Sequence, residues 1–409
     1  MTDSRNAPAA ALDNPIVLAF SGGLDTSFCI PWLKETYGRP VVTATVNTGG
    51  IDAEAAAALE RRALALGASQ HVLIEAREEF FDRVLKYLIM GNVRRGNLYP
   101  LCVGAERGVQ ARHLAEIAKE IGASTVAHGC TAAGNDQVRF EIILKTLAPG
   151  LEVLAPVRDH SWKRADQVAY LEERRLPVPS KGSAYSINRG LWGVTIGGTE
   201  TLDSRDSIPE SAWVLSADAF DEADEPVEIE VGFEQGVPTT LDGERLPPVE
   251  LIERLEAIGA SFAIGRGIHL GDTILGTKGR VAFEAPAAEI LLTAHRELEK
   301  LTLTGLQMRI KEPLAQTYGD LVHEGKQLDP AARDIEALLV SSQARVTGTV
   351  RCLLRPGSLF VVGVTSPHSL MAASRGKYGE SAGEWTPADA LGFSRILALP
   401  GMLHTRAGG

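Results

Sequence analysis

Four short apolar runs mark the first part of the chain: PIVLAF (15–20), PVVTATV (40–46), HVLI (71–74) and STVAHG (124–129). The stretches between them carry helical rather than strand periodicity. Over 52–67, Asp52 is placed to cap a helix, Leu59, Ala63 and Leu66 fall on one face, and Gly67 is placed to stop it. Further on, VQARHLAEIAKEIGA sets Val109, Leu114, Ile117, Ala118 and Ile121 on one stripe. Runs that are apolar throughout, rather than alternating, belong to strands buried on both faces. Their alternation with helices predicts a parallel sheet in an α/β domain, and such sheets bind ligands beyond the carboxyl ends of their strands.

The end of the first run is therefore where chemistry is sought. In VLAFSGGLDTSFCIPWL (17–33) the strand is expected to end at Phe20 and a helix to open near Asp25, leaving Ser21, Gly22, Gly23 and Leu24 as the turn. Glycines let backbone N–H groups converge, and the helix adds its unpaired first donors, so the junction reads as an anion cradle. Ser21, Thr26 and Ser27 add hydroxyls. The plain alternative is a tight turn capped by Asp25 or Thr26. The string lacks the lysine of the G-x-x-x-x-G-K-[ST] loop, which suits attack at the α-phosphate with pyrophosphate leaving intact. Pro31 falls inside the predicted helix, where it should kink it or cost about 3 kcal/mol.

A second strand-to-helix junction, AHGCTAAGNDQVRFE (127–141), has Gly134 for the turn and Asn135 as N-cap. Asn135 and Arg139 stand four apart on one face beside Asp136. A capped helix with a surface Asp136–Arg139 pair would explain this much and be worth little. Beside a phosphate loop, the same trio could hold a zwitterion: Asp136 the amine, Arg139 and the helix N-terminus a carboxylate. His128 reads equally as a packed strand-end residue or a catalytic one.

At 409 residues the chain is expected to hold two or three domains, at about 100 to 200 residues each. RRLPVPSKG (174–182) breaks the rhythm and marks the boundary. The division is 1–14 as a disordered start, 15–173 for the nucleotide domain, 174–182 as linker, 183–365 for a second domain and 366–409 as an extension. The second domain is more strand-like, with an acidic stretch at 218–230 read as a solvated face, a helical run at 287–301 and a hairpin centred on Pro356-Gly357. The last 40 or so residues read as irregular, then briefly amphipathic. A net charge of -11 argues against a nucleic-acid surface. Cys29, Cys102, Cys130 and Cys352 form no C-x-x-C pair, which argues against a disulfide framework or zinc site. Neither a signal peptide nor a membrane span is evident, and a cytoplasmic protein is expected.

Residues 21–27 resemble the pyrophosphate loop of the ATP pyrophosphatase family, which includes GMP, NAD and asparagine synthetases, tRNA-thiolating enzymes and argininosuccinate synthase. Residues 127–141 resemble the argininosuccinate synthase signature H-G-x-T-x-x-G-N-D-Q-V-R-F-E. The likeness continues through NLYPL, AYSINRGLWG, FEQGVP, IGRG, GTKGR, FEAP, LLTAHRELE and SPHSL. The resemblance implies an adenine nucleotide alpha-hydrolase-like parallel-sheet domain, an α+β synthetase domain and a C-terminal extension used in a homotetramer. It implies ligation of citrulline and aspartate through a citrullyl-adenylate, with ATP converted to AMP and pyrophosphate and Mg2+ on the departing group. Carried over by position, ATP would meet Ala19, Phe20, Ser21, Gly22, Gly23, Leu24, Asp25, Thr26, Ser27, Val46, Gly129 and Gly134. Aspartate would meet Thr131, Asn135 and Asp136; citrulline would meet Tyr99, Asn135, Arg139, Ser186 and Thr195. Asp25, Asp136 and Arg139 are the expected catalytic residues. No metal site of protein ligands alone is expected; Asp25 stands open between magnesium ligand and cap.

The chain departs from that pattern in the citrulline pocket. Two hydroxyls are replaced at Val103 and Gly104, the glutamate that grips the amino end aligns with Gly271, its partner tyrosine with Phe283, and a lysine with Ala133. His269, Asp272 and Thr273 are the nearby candidates to replace them. An acylated citrulline, lacking the ammonium, would need no glutamate there. Two rivals stand beside the ligase: a tRNA-thiolating enzyme, against which the charge and scattered cysteines count, and a nucleotide-binding regulator that lost its second substrate.

Overall fold

The computed structural model describes residues 12–179, 185–222 and 225–408. Most of the segment 1–14 and the end of the linker 174–182 lie outside the described residues.

Five parallel strands, β1 (Ile16–Ala19), β2 (Val41–Asn47), β3 (Gln70–Glu75), β4 (Thr125–Ala127) and β5 (Glu152–Leu154), form one sheet in the order β3-β2-β1-β4-β5. Ile16 pairs with Val41 on one side and Thr125 on the other. β5 was not among the expected strands: at three residues, opening on an exposed glutamate, it is too short to carry a pattern. The longer helices of this domain are α1 (Leu24–Tyr37), α2 (Ala53–Ala65), α3 (Arg107–Glu120), α4 (Asp136–Leu147) and α5 (Arg164–Glu173). As read from the sequence, Asp52 caps α2, accepting from the Ala55 N–H at 2.8 Å. α1 runs on through Pro31, buried with Phe28, Ile30 and Leu33, and Phe28 packs on Trp162 and Tyr170 at 4.8 and 5.0 Å between ring centres. The chain fills the sheet outward from β1 to β3, then restarts beside β1 with β4. The loops leaving β1 and β4 thus face each other where the strand order reverses, the usual ligand position in such sheets.

The second half holds two antiparallel sheets. One, in the order β10-β9-β8-β13-β14, is built from β8 (Val227–Glu234), β9 (Val237–Leu241), β10 (Glu244–Arg245), β13 (Gly348–Arg355) and β14 (Ser358–Thr365). The other, β11-β12-β7-β6, contains β6 (Ser186–Gly190), β7 (Gly193–Gly197), β11 (Arg266–Asp272) and β12 (Lys278–Glu284). The hairpin at Pro356-Gly357 is present, with Arg355 opposite Ser358. Helices α6 (Pro248–Ala260), α7 (Pro286–Thr302), α8 (Gly305–His323) and α9 (Pro330–Ser342) complete this half. The closing stretch is more regular than its composition suggested: α10 (Pro387–Gly408) is a 22-residue helix with no buried residue, and Leu391, Phe393, Ile396 and Leu397 are exposed.

The halves are tied by buried polar contacts. Glu299 on α7 takes Lys311 Nζ at 2.6 Å, Asn92 Nδ2 at 2.6 Å and Gln343 Nε2 at 2.8 Å, while His295 bridges Asn92 and Gln343. Each charge in that cluster has a partner, the condition under which buried ions are tolerated. Nearer the first sheet, Trp192 Nε1 donates to the Pro100 carbonyl at 2.9 Å and Leu191 N–H to that of Thr48 at 3.0 Å.

Candidate active site

After β1, Phe20 stays in register through its N–H to Ala44 O (2.9 Å), and Thr45 Oγ1 donates to Phe20 O (2.6 Å). Gly22 then takes φ 74°, a conformation that strains any side chain, and a Cβ on it would stand 2.3 Å from Leu59 Cδ2. Arg62 donates to the Gly22 carbonyl at 2.7 Å, which commits that acceptor to α2. The N-cap of α1 is Gly23, with no side-chain cap, so the cap reading of Asp25 and Thr26 does not hold. Thr26 Oγ1 instead donates back to Gly23 O at 3.3 Å and lies 3.2 Å from Ser21 Oγ. The first N–H groups of α1 are left without intrahelical acceptors, beside two hydroxyls. Asp25 sits in the first turn, and its carboxylate makes no hydrogen bond or ion pair among the described residues.

The second junction closes on the first. A Cβ on Gly129 would lie 3.0 Å from Thr26 Cγ2 and 3.1 Å from Thr26 N, so this position brings the β4 loop onto the head of α1. His128 takes the packed role: its ring stacks on Phe140 at 5.5 Å, its Nδ1 accepts from Cys130 N–H at 3.3 Å, and burial, aided by Arg158, pushes its pKa down to about 4. Asn135 occupies the N-cap position without capping, since its backbone is already helical (φ -68°). Its Oδ1 accepts instead from Ile274 N–H at 2.9 Å, a reach across to the turn between β11 and β12.

Asp136 and Arg139 meet at 2.6 Å, but they are not the surface pair of the plain reading. The other carboxylate oxygen takes Arg107 Nε at 3.0 Å. Burial pushes the acid's pKa up, yet Arg107 and then Arg139 outweigh it and hold it down to about 2. Arg139 is buried; its Nε donates to His323 O at 2.7 Å and a terminal nitrogen to His323 Nδ1 at 3.2 Å. A guanidinium has no acceptor, so Nδ1 accepts and the imidazole proton sits on Nε2. Burial, with Arg139 next, lowers the His323 pKa to about 3.

These elements enclose one cavity of about 820 Å³, walled by both halves of the chain. Of the residues singled out in the sequence, Ala19, Phe20, Ser21, Gly23, Asp25, Thr26, Val46, Tyr99, Gly129, Thr131, Gly134, Asn135, Asp136, Arg139, Ser186 and Thr195 line it. Gly22, Leu24 and Ser27 stand behind that wall, Leu24 and Ser27 buried in α1. His269, Asp272 and Thr273, named as candidate replacements, also line it, as do Thr48, Glu106, Arg107 and His323, which no motif flagged. They come from separate elements and share no spacing, so only the fold assembles them.

The chain matches the family model described as Arginosuccinate synthase N-terminal HUP domain over residues 15–177, and the Arginosuccinate synthase C-terminal domain over 185–404. Curated relatives named argininosuccinate synthase share 38% identity in Methanocaldococcus jannaschii (389 residues, 95% of this chain and 97% of the relative) and 41% in Symbiobacterium thermophilum (386 residues, 94% and 96%). One from Xanthomonas campestris is 40% identical over 397 residues, 96% of this chain and 98% of the relative. The chain belongs to the argininosuccinate synthase family.

Within that family frame the departures acquire a geometry. Thr195 lies opposite both Asn188 and Phe283, and Gly271 opposite Gly279, so one sheet face carries Ser186, Thr195, Phe283, His269 and Gly271. Tyr99 covers it, its ring stacked on His269 at 5.4 Å and edge-on to Phe283 at 5.1 Å, its hydroxyl donating to Cys102 O. A Cβ on Gly271 would stand 2.6 Å from His269 Nε2: an imidazole lies across the place where the sequence resemblance implies a glutamate. Gly104, where a hydroxyl is missing, has the Arg139 guanidinium against it, 3.2 Å from a Cβ placed there.

Proposed function

We propose that the chain joins citrulline to aspartate in arginine biosynthesis, forming argininosuccinate while ATP is split to AMP and pyrophosphate. The observation that carries the reading is the meeting of the lysine-free turn after β1 with Gly129 of the family signature, on the wall of one cavity. Donors that grip two phosphates as a unit stabilise pyrophosphate as it leaves, and the ureido oxygen attacks the α-phosphate. The turn at Ser21, Gly22 and Gly23 with Thr26 is the proposed pyrophosphate cradle, and Val46 flanks the adenine. Asp136 and Thr131 orient aspartate, while Tyr99, Asn135, Ser186 and Thr195 hold citrulline. Arg139 has three donors committed to Asp136 and His323, so its part is to fix both of them.

Much of the acceleration comes from alignment of a weak nucleophile. Magnesium fits this arrangement: among the described residues no cluster of three metal-ligating side chains exists, but Asp25 offers one free carboxylate at the phosphate end. One carboxylate plus phosphate oxygens is a usual magnesium environment, and the ion would neutralise charge on the departing pyrophosphate. The exposed apolar residues of α10 support assembly of several copies, with a homotetramer as the proposed form. No helix among the described residues is long and apolar enough to cross a membrane.

The test is the fate of ATP. Purified protein with ATP, citrulline and aspartate is expected to yield AMP and pyrophosphate in equal amounts, with no net multiple turnover when either amino acid is left out. ADP and orthophosphate as products would overturn the reading.

A further inference from the structure

Glu106 immediately precedes α3, at its N-cap position, and is 2% exposed, yet it forms part of the cavity wall. Its Oε2 accepts from Thr48 Oγ1 at 2.9 Å and from Gln110 Nε2 at 3.4 Å. Its Oε1 has no hydrogen-bond partner among the described residues. Room for that oxygen exists only because residue 190 is glycine: a Cβ there would stand 1.5 Å from it. The Arg107 guanidinium lies between Glu106, at 3.8 Å, and Asp136, at 3.0 Å, so the two acids flank one cation. Arg107 does not neutralise Glu106 as it does Asp136. Burial, with the Asp136 charge adding to it, raises Glu106 to about 8 against the pull of Arg107 and Thr48. The other titratable groups facing it, Tyr99 and Cys102, are both pushed up by burial and stay neutral. A buried acid with a spare oxygen, poised near neutral pH and beside a substrate cavity, has the attributes of a proton acceptor.

We propose that Glu106 is the general base of the second half-reaction, taking a proton from the ammonium of the incoming amino acid beside Asp136. The inference rests on the ligase reading above. The ammonium gives one proton to the Glu106 carboxylate. The freed lone pair forms the C–N bond at the ureido carbon of the neutral O-adenylyl isourea. The C–O bond to the nucleotide breaks, and AMP leaves with the electron pair. Both remaining amine protons stay in the guanidinium product, and Glu106 returns its proton to solvent when product departs.

In the first half-reaction the one proton lost from the ureido nitrogen leaves with the departing pyrophosphate, so that step does not call on Glu106, which separates the roles. Glu106→Gln keeps the length of the side chain and its bond from Thr48. Expected is citrulline-dependent exchange of labelled pyrophosphate into ATP, measured without aspartate, within threefold of the parent. Aspartate-dependent AMP formation should fall by about 10²-fold or more. The alkaline rise of kcat/KM for aspartate near pH 8 should be lost in Glu106→Gln, and Glu106→Asp should recover part of the lost rate. Equal loss of both half-reactions in Glu106→Gln would make the residue structural and overturn the assignment; so would full aspartate-dependent turnover. Absence of exchange in the unmodified protein would instead count against the ligase reading.

Discussion

Gly129 stands against Thr26 so closely that a single methyl group on it would sit 3.0 Å from Thr26 Cγ2. Two junctions more than a hundred residues apart in the chain are thereby locked into one surface. Replacing Gly129 by valine should push the β4 loop off the head of α1. The KM for ATP is expected to rise at least tenfold while far-UV circular dichroism stays unchanged; an unaltered KM would separate this contact from nucleotide binding.

Asp136 should impose a definite pH signature on stability. Its pKa is held at about 2 in the folded chain, below the unfolded value of about 3.9. The unfolded state therefore binds more protons between those values, and the contribution is full above the upper one and lost as pH falls through the lower. In urea titrations, the gap in midpoint between parent and Asp136→Asn should be steady from pH 5 to pH 7 and shrink towards pH 2. Turnover with aspartate should be abolished in Asp136→Ala, with ATP affinity close to normal.

The buried histidines work in the opposite chemical sense but the same direction. His128 and His323, at about 4 and about 3, are neutral in the folded chain where unfolded histidine titrates near 6.5. Unfolding takes up protons across that window, so stability falls as pH drops from about 6.5 towards 4 for His128 and towards 3 for His323. NMR of the imidazole carbons should find both rings neutral from pH 6 to pH 8, a result that a shared titration near 6.5 would refute.

Lys311 and Glu299 meet at 2.6 Å with almost no exposure. Lys311→Met alone would strand the carboxylate and should cost about 3–5 kcal/mol in chemical denaturation. Lys311→Met with Glu299→Leu should recover part of that loss, since both charges go together. A double variant no better than the single one would place the stabilising role in Asn92 and Gln343 instead.

Ending the chain after residue 365 should leave the cavity intact, because its walls come from residues 19–323. Light scattering is expected to record a smaller assembly than the full chain forms, with pyrophosphate exchange retained. The same mass per particle with and without α10 would remove that helix from the assembly.

The first sheet was legible because its strands are continuous apolar runs and its turns carry glycine, so local chemistry and tertiary position agree. β5, with three residues and an exposed start, lacked that agreement. The site was legible where a residue's role is set by its own loop: Gly22, Gly129 and Asp136 announce themselves in the string. The N-cap role read for Asn135 did not hold, because its side chain answers to Ile274, far along the chain, rather than to its own helix. Arg107, Glu106 and His323 were invisible for the same reason: their partners lie on other elements, and no periodicity relates them.

The imidazole lying across Gly271 makes positions 269 and 271 interdependent. A glutamate at 271 would place its Cβ 2.6 Å from His269 Nε2, so the half-buried ring would have to swing aside to admit it. The shape of this end of the cavity is thus set by the rotamer of one histidine.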